Sequence, residues 1–423
     1  MAVIPPQTKS FHSAPVPFHC LPPELLILIS EHLLSCTKSS LSLVPLTLVC
    51  QYFYWCLKSY SPFWTNIHIN LLTLEAHAGD AVLANFIQKL NRTLNYSQDK
   101  QFALTVSLLR SSSDLDGSIG SPLYDAFIKD LYRKTLPFCR ELTIKSSLWL
   151  DMETLTGFIE WYIRDKQTAI PTLESLHVLY NPANTVEAFA PPNALPLWRN
   201  GGISPLIMME SPGSTIPSEP LYPFLKDITI DNITHSWSLL TLSGLQTFRL
   251  LNIPSHNSPS HTEIRRLLLS NSETLTELEL SNVSVSDIET IGGQFTLPNV
   301  KVLTIGFAHP NDLVWASQML DLPALEELVV EDHTERLDSE QTIRGYGVLM
   351  RCFPVDRIRR LVLRRSVVPP TSDDVVLLRN THTWLLLTRF RNLTDLEISY
   401  PESLISELLS LFSGLGGSYV ERW

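Results

Sequence analysis

From Asn70 onward, apolar residues return along the chain in one short phrase, L-x-x-L-x-L or a variant of it. It occurs as Cys139-x-x-Leu142-x-Ile144, Leu173-x-x-Leu176-x-Val178, Leu225-x-x-Ile228-x-Ile230, Leu245-x-x-Phe248-x-Leu250 and Leu275-x-x-Leu278-x-Leu280. It continues as Val300-x-x-Leu303-x-Ile305, Leu325-x-x-Leu328-x-Val330, Ile358-x-x-Leu361-x-Leu363 and Leu393-x-x-Leu396-x-Ile398, and Phe102–Leu108 is a worn further copy. The alternation at the end of each phrase predicts a short strand. Between the phrases lie stretches with helical spacing: Leu123–Leu136, Met152–Arg164, His261–Asn271, Asn311–Leu320, Gln341–Cys352, Asp373–Arg389 and Ser403–Phe412. One strand with one helix cannot bury its own apolar face, so such units stack on their neighbours. The pattern therefore predicts an α/β chain, with parallel strands side by side and helices behind them.

Strand residues between the buried apolar positions point the other way. They are His177, Thr229, Asp231, Arg249, Glu279, Ser281, Thr304, Val329, Glu331, Val362, Arg364, Glu397 and Ser399. Both signs of charge are present, which suits a protein partner bound by complementarity. His177, Asp231, Arg249, Glu279, Glu331, Arg364 and Glu397 are the candidate target-binding residues.

The first seventy residues follow another rhythm. Pro22 and Pro23 stand where a helix begins, a place proline tolerates because that N–H has no helical partner. Glu24 lies near the positive end of the helix dipole. Leu25, Leu28, Ile29, His32 and Leu33 follow at spacings of three and four and make an apolar stripe. The Ser- and Thr-containing stretch Ser35–Val44 reads as a loop, and Pro45 starts a second helix carrying Leu46, Val49, Cys50 and Phe53. A third helical element ends at Pro62 and Trp64, and Ile67-His68-Ile69 alternates like a strand. Fifty residues hold too little chain to hide this much apolar surface alone, and leftover apolar surface marks a docking face.

The order Leu-Pro-x-Glu-Leu, a Leu/Ile helix, Leu-x-x-Val-Cys, then Phe-Trp and a short strand resembles the F-box, in the version abundant in fungi. The resemblance implies docking to a Skp-type adaptor and, through it, to a cullin–RING ubiquitin ligase. Carried over by motif position, the adaptor contacts would be Leu21, Pro22, Leu25, Ile29, Leu46, Val49, Cys50 and Phe53. The later phrases are similar to irregular leucine-rich repeats, which implies a curved solenoid. The unit lacks the asparagine that regular repeats place after the last leucine of the strand. The expected layout is a flexible N-terminus at 1–17, an F-box at 18–70 and a leucine-rich-repeat solenoid at 71–423. A Pro-, Ser- and Gly-rich insertion falls at 190–223.

Composition narrows the function. At 423 residues and 44% apolar content there is material for one large domain and a small one. A net charge of −11 and a pI near 5.6 disfavour nucleic acid as partner. The richest basic run, Arg357–Arg365, is interleaved with apolar residues and reads as a strand. The six cysteines are scattered and form no C-x-x-C, so they read as buried free thiols of a reducing compartment, with no metal or redox cofactor expected. Residues 1–20 have no apolar signal-peptide core, and Leu21–Leu34 is too short and too polar to span a bilayer. The expected location is cytoplasmic, nuclear or both. No phosphate cradle, zinc-helix motif or nucleophile elbow occurs. The sequence thus predicts a binding protein rather than an enzyme: a substrate-recognition adaptor of a Skp–cullin–F-box (SCF) ligase, or alternatively a leucine-rich-repeat scaffold outside any ligase.

Overall fold

The computed structural model describes residues 21–72, 80–97, 100–109, 122–166, 170–182, 222–233, 237, 242–253, 258–285, 293–308, 310–333, 353–365, 390 and 392–399. The expected flexible N-terminus, most of the 190–223 insertion and the helices expected at 341–352, 373–389 and 403–412 lie outside these residues. The chain divides into two compact units. One holds the described residues up to Leu104 except Asn70–Leu72; the other holds Asn70–Leu72 and everything from Thr105 on. The first unit therefore runs past the boundary expected at residue 70.

In the first unit, α1 spans Pro23–Thr37. Pro22 is its N-cap, Pro23 occupies the first turn, and Glu24 lies in that turn. It stops at Lys38, which turns left-handed (φ 54°) and returns its N–H to the Leu34 carbonyl. A 3₁₀ turn, Ser40–Leu43, leads into α2, Val44–Thr47. The single second helix expected from Pro45 through Phe53 is in fact broken. The chain leaves α2 at Leu48, Cys50 is extended (φ −160°, ψ 166°), and α3 starts afresh at Gln51 and runs to Ser59. Leu26, Leu43, Val44, Phe53, Leu57, Phe63, Trp64 and Tyr96 form the core. Trp64 is fully buried, and its indole Nε1–H donates to the Leu57 carbonyl at 3.0 Å. Strand β1, Asn66–Asn70, alternates as its sequence predicts, with Ile67 and Ile69 buried. Ser39 Oγ donates to the His68 carbonyl and accepts the His68 N–H. Helix α4, Asp80–Ser97, supplies Tyr96, whose ring meets Trp64 edge-on at 4.8 Å. Strand β2, Phe102–Leu108, begins in this unit, where Ala103 N–H reaches the Thr65 carbonyl.

The second unit is a large parallel sheet with helices. Its elements are α5 (Pro122–Thr135), β3 (Cys139–Ser146), α6 (Trp149–Lys166), β4 (Ser175–Tyr180), β5 (Asp227–Asp231), β6 (Thr247–Ile253), α7 (His261–Leu269) and β7 (Glu277–Val283). After them come β8 (Phe295–Thr296), β9 (Val302–Phe307), α8 (Pro310–Met319), β10 (Leu320–Asp321), β11 (Glu327–Asp332), β12 (Arg360–Arg365) and β13 (Asp395–Ser399). All nine phrases became strands. They pair in chain order, β3-β4-β5-β6-β7-β9-β11-β12-β13, all parallel; β8 and β10 form a separate parallel pair. The order never reverses, so these strands offer no topological switch point, where open α/β sheets place their ligands.

The register is the phrase itself. Leu142, Leu176, Ile228, Phe248, Leu278, Leu303, Leu328, Leu361 and Leu396 stand opposite one another across the sheet. Each of them is at most 4% exposed. A one-residue slip would turn the whole row to the opposite face, so burial on one side holds the register. Each such side chain contributes roughly 1.5–3 kcal/mol in transfer terms.

Three units do carry an asparagine two residues after the last apolar residue of the phrase, one position earlier than in regular repeats. Asn232, Asn252 and Asn282 have φ of 54°, 51° and 55°, the left-handed region that asparagine tolerates. Asn252 Nδ2 donates to Asp231 Oδ1 at 2.9 Å, and Asn282 Nδ2 to Asn252 Oδ1 at 3.3 Å. Of the cysteines, Cys139 is buried but Cys36 is exposed near the end of α1, against the expectation of buried thiols.

Candidate interaction surfaces

Two surfaces hold the candidate residues, one in each unit. On α1, Leu25, Leu28 and Ile29 are 46%, 57% and 50% exposed. Their i, i+3, i+4 spacing sets them on one face of the helix. Leu48 and Val49, in the turn where the second helix breaks, are 62% and 54% exposed. The break presents these two aliphatic side chains to solvent; a continuous helix would have carried them round its axis. Pro22 is exposed, and Leu21, Leu46 and Cys50 are half-buried. Phe53, expected among the contacts, is buried in the core of the unit. It supports the surface from within and is not part of it. Leu28 and Leu48 were not among the expected contacts, although the α1 stripe signalled Leu28.

The second surface is the face of the sheet opposite the leucine row. His177 Nδ1 meets Thr229 Oγ1 at 2.9 Å and its Nε2 meets Ser175 Oγ at 3.3 Å; burial lowers the ring's pKa. Arg249 pairs with Glu277 at 3.1 Å and Glu279 at 3.3 Å. Burial raises the Glu279 carboxyl, and Arg249 opposes that rise. Burial also raises Asp231, against the Asn252 hydrogen bond. Farther along, Arg364 joins Glu331 and Glu397, while Arg360 joins Glu327, Asp395 and Glu397, all at 3.2–3.3 Å. All seven expected residues therefore lie on this face, and each is tied to a neighbour roughly two to five tens of residues away. Thr229, Ser281, Val329, Val362 and Glu397, expected to point into solvent, are buried. Strands about 4.8 Å apart let long side chains lie over shorter ones beside them.

One cluster on this face was not legible in the phrases. Ser281 Oγ lies 3.0 Å from His333 Nε2 and 3.3 Å from Glu331 Oε2. The ring of His333, 3.6 Å from Glu331, holds that carboxyl below its usual value, and Arg364 adds to the effect. Gly306 sits between Ser281 and Glu331 in the register and leaves the space in which these groups meet. Glu331 and Ser281 address the same ring nitrogen. Glu331 therefore does not orient the far nitrogen as the acid of a serine–histidine–acid relay does.

A cavity of about 620 Å³ lies elsewhere, among the turns before β11, β12 and β13, lined by Glu326, Asp356, Arg357, Arg359, Asn392 and Thr394. None of the expected residues lines it. Among the described residues no group of three or more His, Cys, Asp and Glu could hold a metal ion, and no helix is long and apolar enough to cross a membrane. No protein-family model and no curated protein matches the chain.

Proposed function

We propose that this chain is the substrate-recognition adaptor of an SCF ubiquitin ligase, located in the cytoplasm, the nucleus or both. In this reading the N-terminal helices form an F-box that docks a Skp-type adaptor. The parallel strands form a leucine-rich-repeat solenoid whose open face holds a target protein. The carrying observation is that Leu25, Ile29 and Val49, assigned to docking by motif position, stand about half exposed beside Leu28 and Leu48 on a unit that has its own packed core. Aliphatic side chains left in water on a small unit favour a partner that covers them. Such an adaptor does no bond chemistry itself. It raises the effective concentration of a target lysine near the ligase's charged ubiquitin carrier.

The test is co-expression of the full chain with a Skp-type adaptor, followed by pull-down. A Leu25→Ala/Ile29→Ala/Val49→Ala variant should keep the wild-type circular dichroism, because the altered side chains are solvent-exposed. It should lose the adaptor. A folded wild type that fails to bind sinks the proposal and leaves a repeat scaffold outside any ligase.

A further inference from the structure

His261, the first residue of α7, is 1% exposed, and neither ring nitrogen has a hydrogen-bond partner. A neutral imidazole bears this at moderate cost; an imidazolium does not, since a buried charge without a counter-ion or acceptor is strongly disfavoured. Among the described residues, the charge acting on the ring disfavours a proton. The helix begins at this residue, so its unpaired N–H groups and dipole add positive potential. Arg265 lies one turn on, its guanidinium over the Phe295 ring, and Arg266 is held by the Trp237 carbonyl. Glu263 is engaged with Ser260 in a capping box. The described residues that hydrogen bonds and ring contacts bring to this helix and its end, Trp237, Leu242, Leu245 and Phe295, carry no titratable side chain. Asp321, paired through β10 with Thr296, is already hydrogen-bonded to the Thr296 hydroxyl.

We propose that α7 is an acid-released element: it packs only while His261 is neutral, and protonation of that ring frees the helix from the sheet. The face it would uncover is apolar, since Ile264, Leu267 and Leu268 are all buried beneath it. The direction follows from linkage. Burial first, and Arg265 second, lower the ring's pKa from its ordinary 6.5. The released helix therefore takes up a proton that the packed helix refuses, and packing weakens as pH falls below 6.5. Between pH 7.5 and 5.5 the closing equilibrium of α7 should fall about tenfold, the change set by a histidine that titrates only when released.

The experiment is amide hydrogen exchange of the full chain at the two pH values, read on fragments covering 258–271 and corrected for the intrinsic pH dependence of exchange. Wild type should lose about tenfold in protection there, and His261→Gln should lose almost none. Equal losses in both proteins overturn the proposal. If the variant does not hold α7 at pH 7.5, imidazole NMR of the wild type decides. A ring that stays neutral in the packed state below pH 6.5 supports the proposal; one that takes its proton there while α7 stays protected refutes it.

Discussion

Replacing Gly306 by alanine asks whether the sheet face is as tightly built as its distances state. The backbone of Gly306 lies outside the left-handed region, so alanine is conformationally allowed. By itself the change would restrict the unfolded chain and stabilise by about 0.4–1 kcal/mol. Against this, the new Cβ would stand 2.1 Å from Ser281 Oγ, 2.7 Å from His333 Nε2 and 2.9 Å from Ser281 Cα. The first two atoms can swing away, but only by giving up the Ser281 bonds to His333 and Glu331, at about 0.5–1.5 kcal/mol each. The third is backbone, so β7 and β9 must move apart, and overpacking of this kind costs about 1–3 kcal/mol. Strain outweighs the entropic gain, and the net loss should be about 2–4 kcal/mol. Urea denaturation followed on the second unit, by hydrogen exchange of β7, β9 and β11, gives the number. In a Ser281→Ala background the hydroxyl is gone while the clash with the residue 281 backbone stays, so the same substitution should cost at least about 1 kcal/mol less. A Gly306→Ala protein within about 0.5 kcal/mol of wild type, or one with no coupling to Ser281, would show that these strands do not approach so closely.

Two further outcomes follow from the same packing. Trp64→Phe removes an indole donor to the Leu57 carbonyl from a fully buried site; it should destabilise the first unit by about 2–4 kcal/mol, and a thermal scan showing no loss would contradict the packing. Glu331 has its carboxyl held below the ordinary 4.5, so its share of stability is complete above that value and disappears as pH falls toward the depressed one. Glu331→Gln should therefore be less stable than wild type at pH 7, with the gap closing below pH 4.5 in paired denaturation curves. A gap independent of pH would refute this account of the carboxyl.

Much of the second unit was legible because its signal is local and repeated. Each phrase carries both the strand and the row that the strand must bury, so nine copies announce nine strands and their mutual register together. Four helices expected from spacing, at 123–136, 152–164, 261–271 and 311–320, appear at Pro122–Thr135, Trp149–Lys166, His261–Leu269 and Pro310–Met319. The left-handed asparagines also had a signal, since Ile230-Asp231-Asn232, Leu250-Leu251-Asn252 and Leu280-Ser281-Asn282 repeat the same offset. The break between α2 and α3 had none. Helical spacing continues through Leu46, Val49 and Phe53, and only packing of Phe53 into the core against Leu26 and Leu57 decides that the chain restarts at Gln51.

By itself, then, the sequence determined the α/β class, the strands, their buried row and the residues that would face away from it. These depend on periodicity, which a few neighbouring residues fully express. Tertiary structure alone decided what those outward residues meet. Arg364 reaches Glu331 and Glu397, each 33 residues distant, because parallel pairing stacks equivalent positions of successive units about 4.8 Å apart. It also decided that Phe53 turns inward while Leu28 and Leu48 stand in solvent. The physical reason is the same in both cases: spacing along a chain says which side chains share a face, and only the neighbouring elements say whether that face is covered.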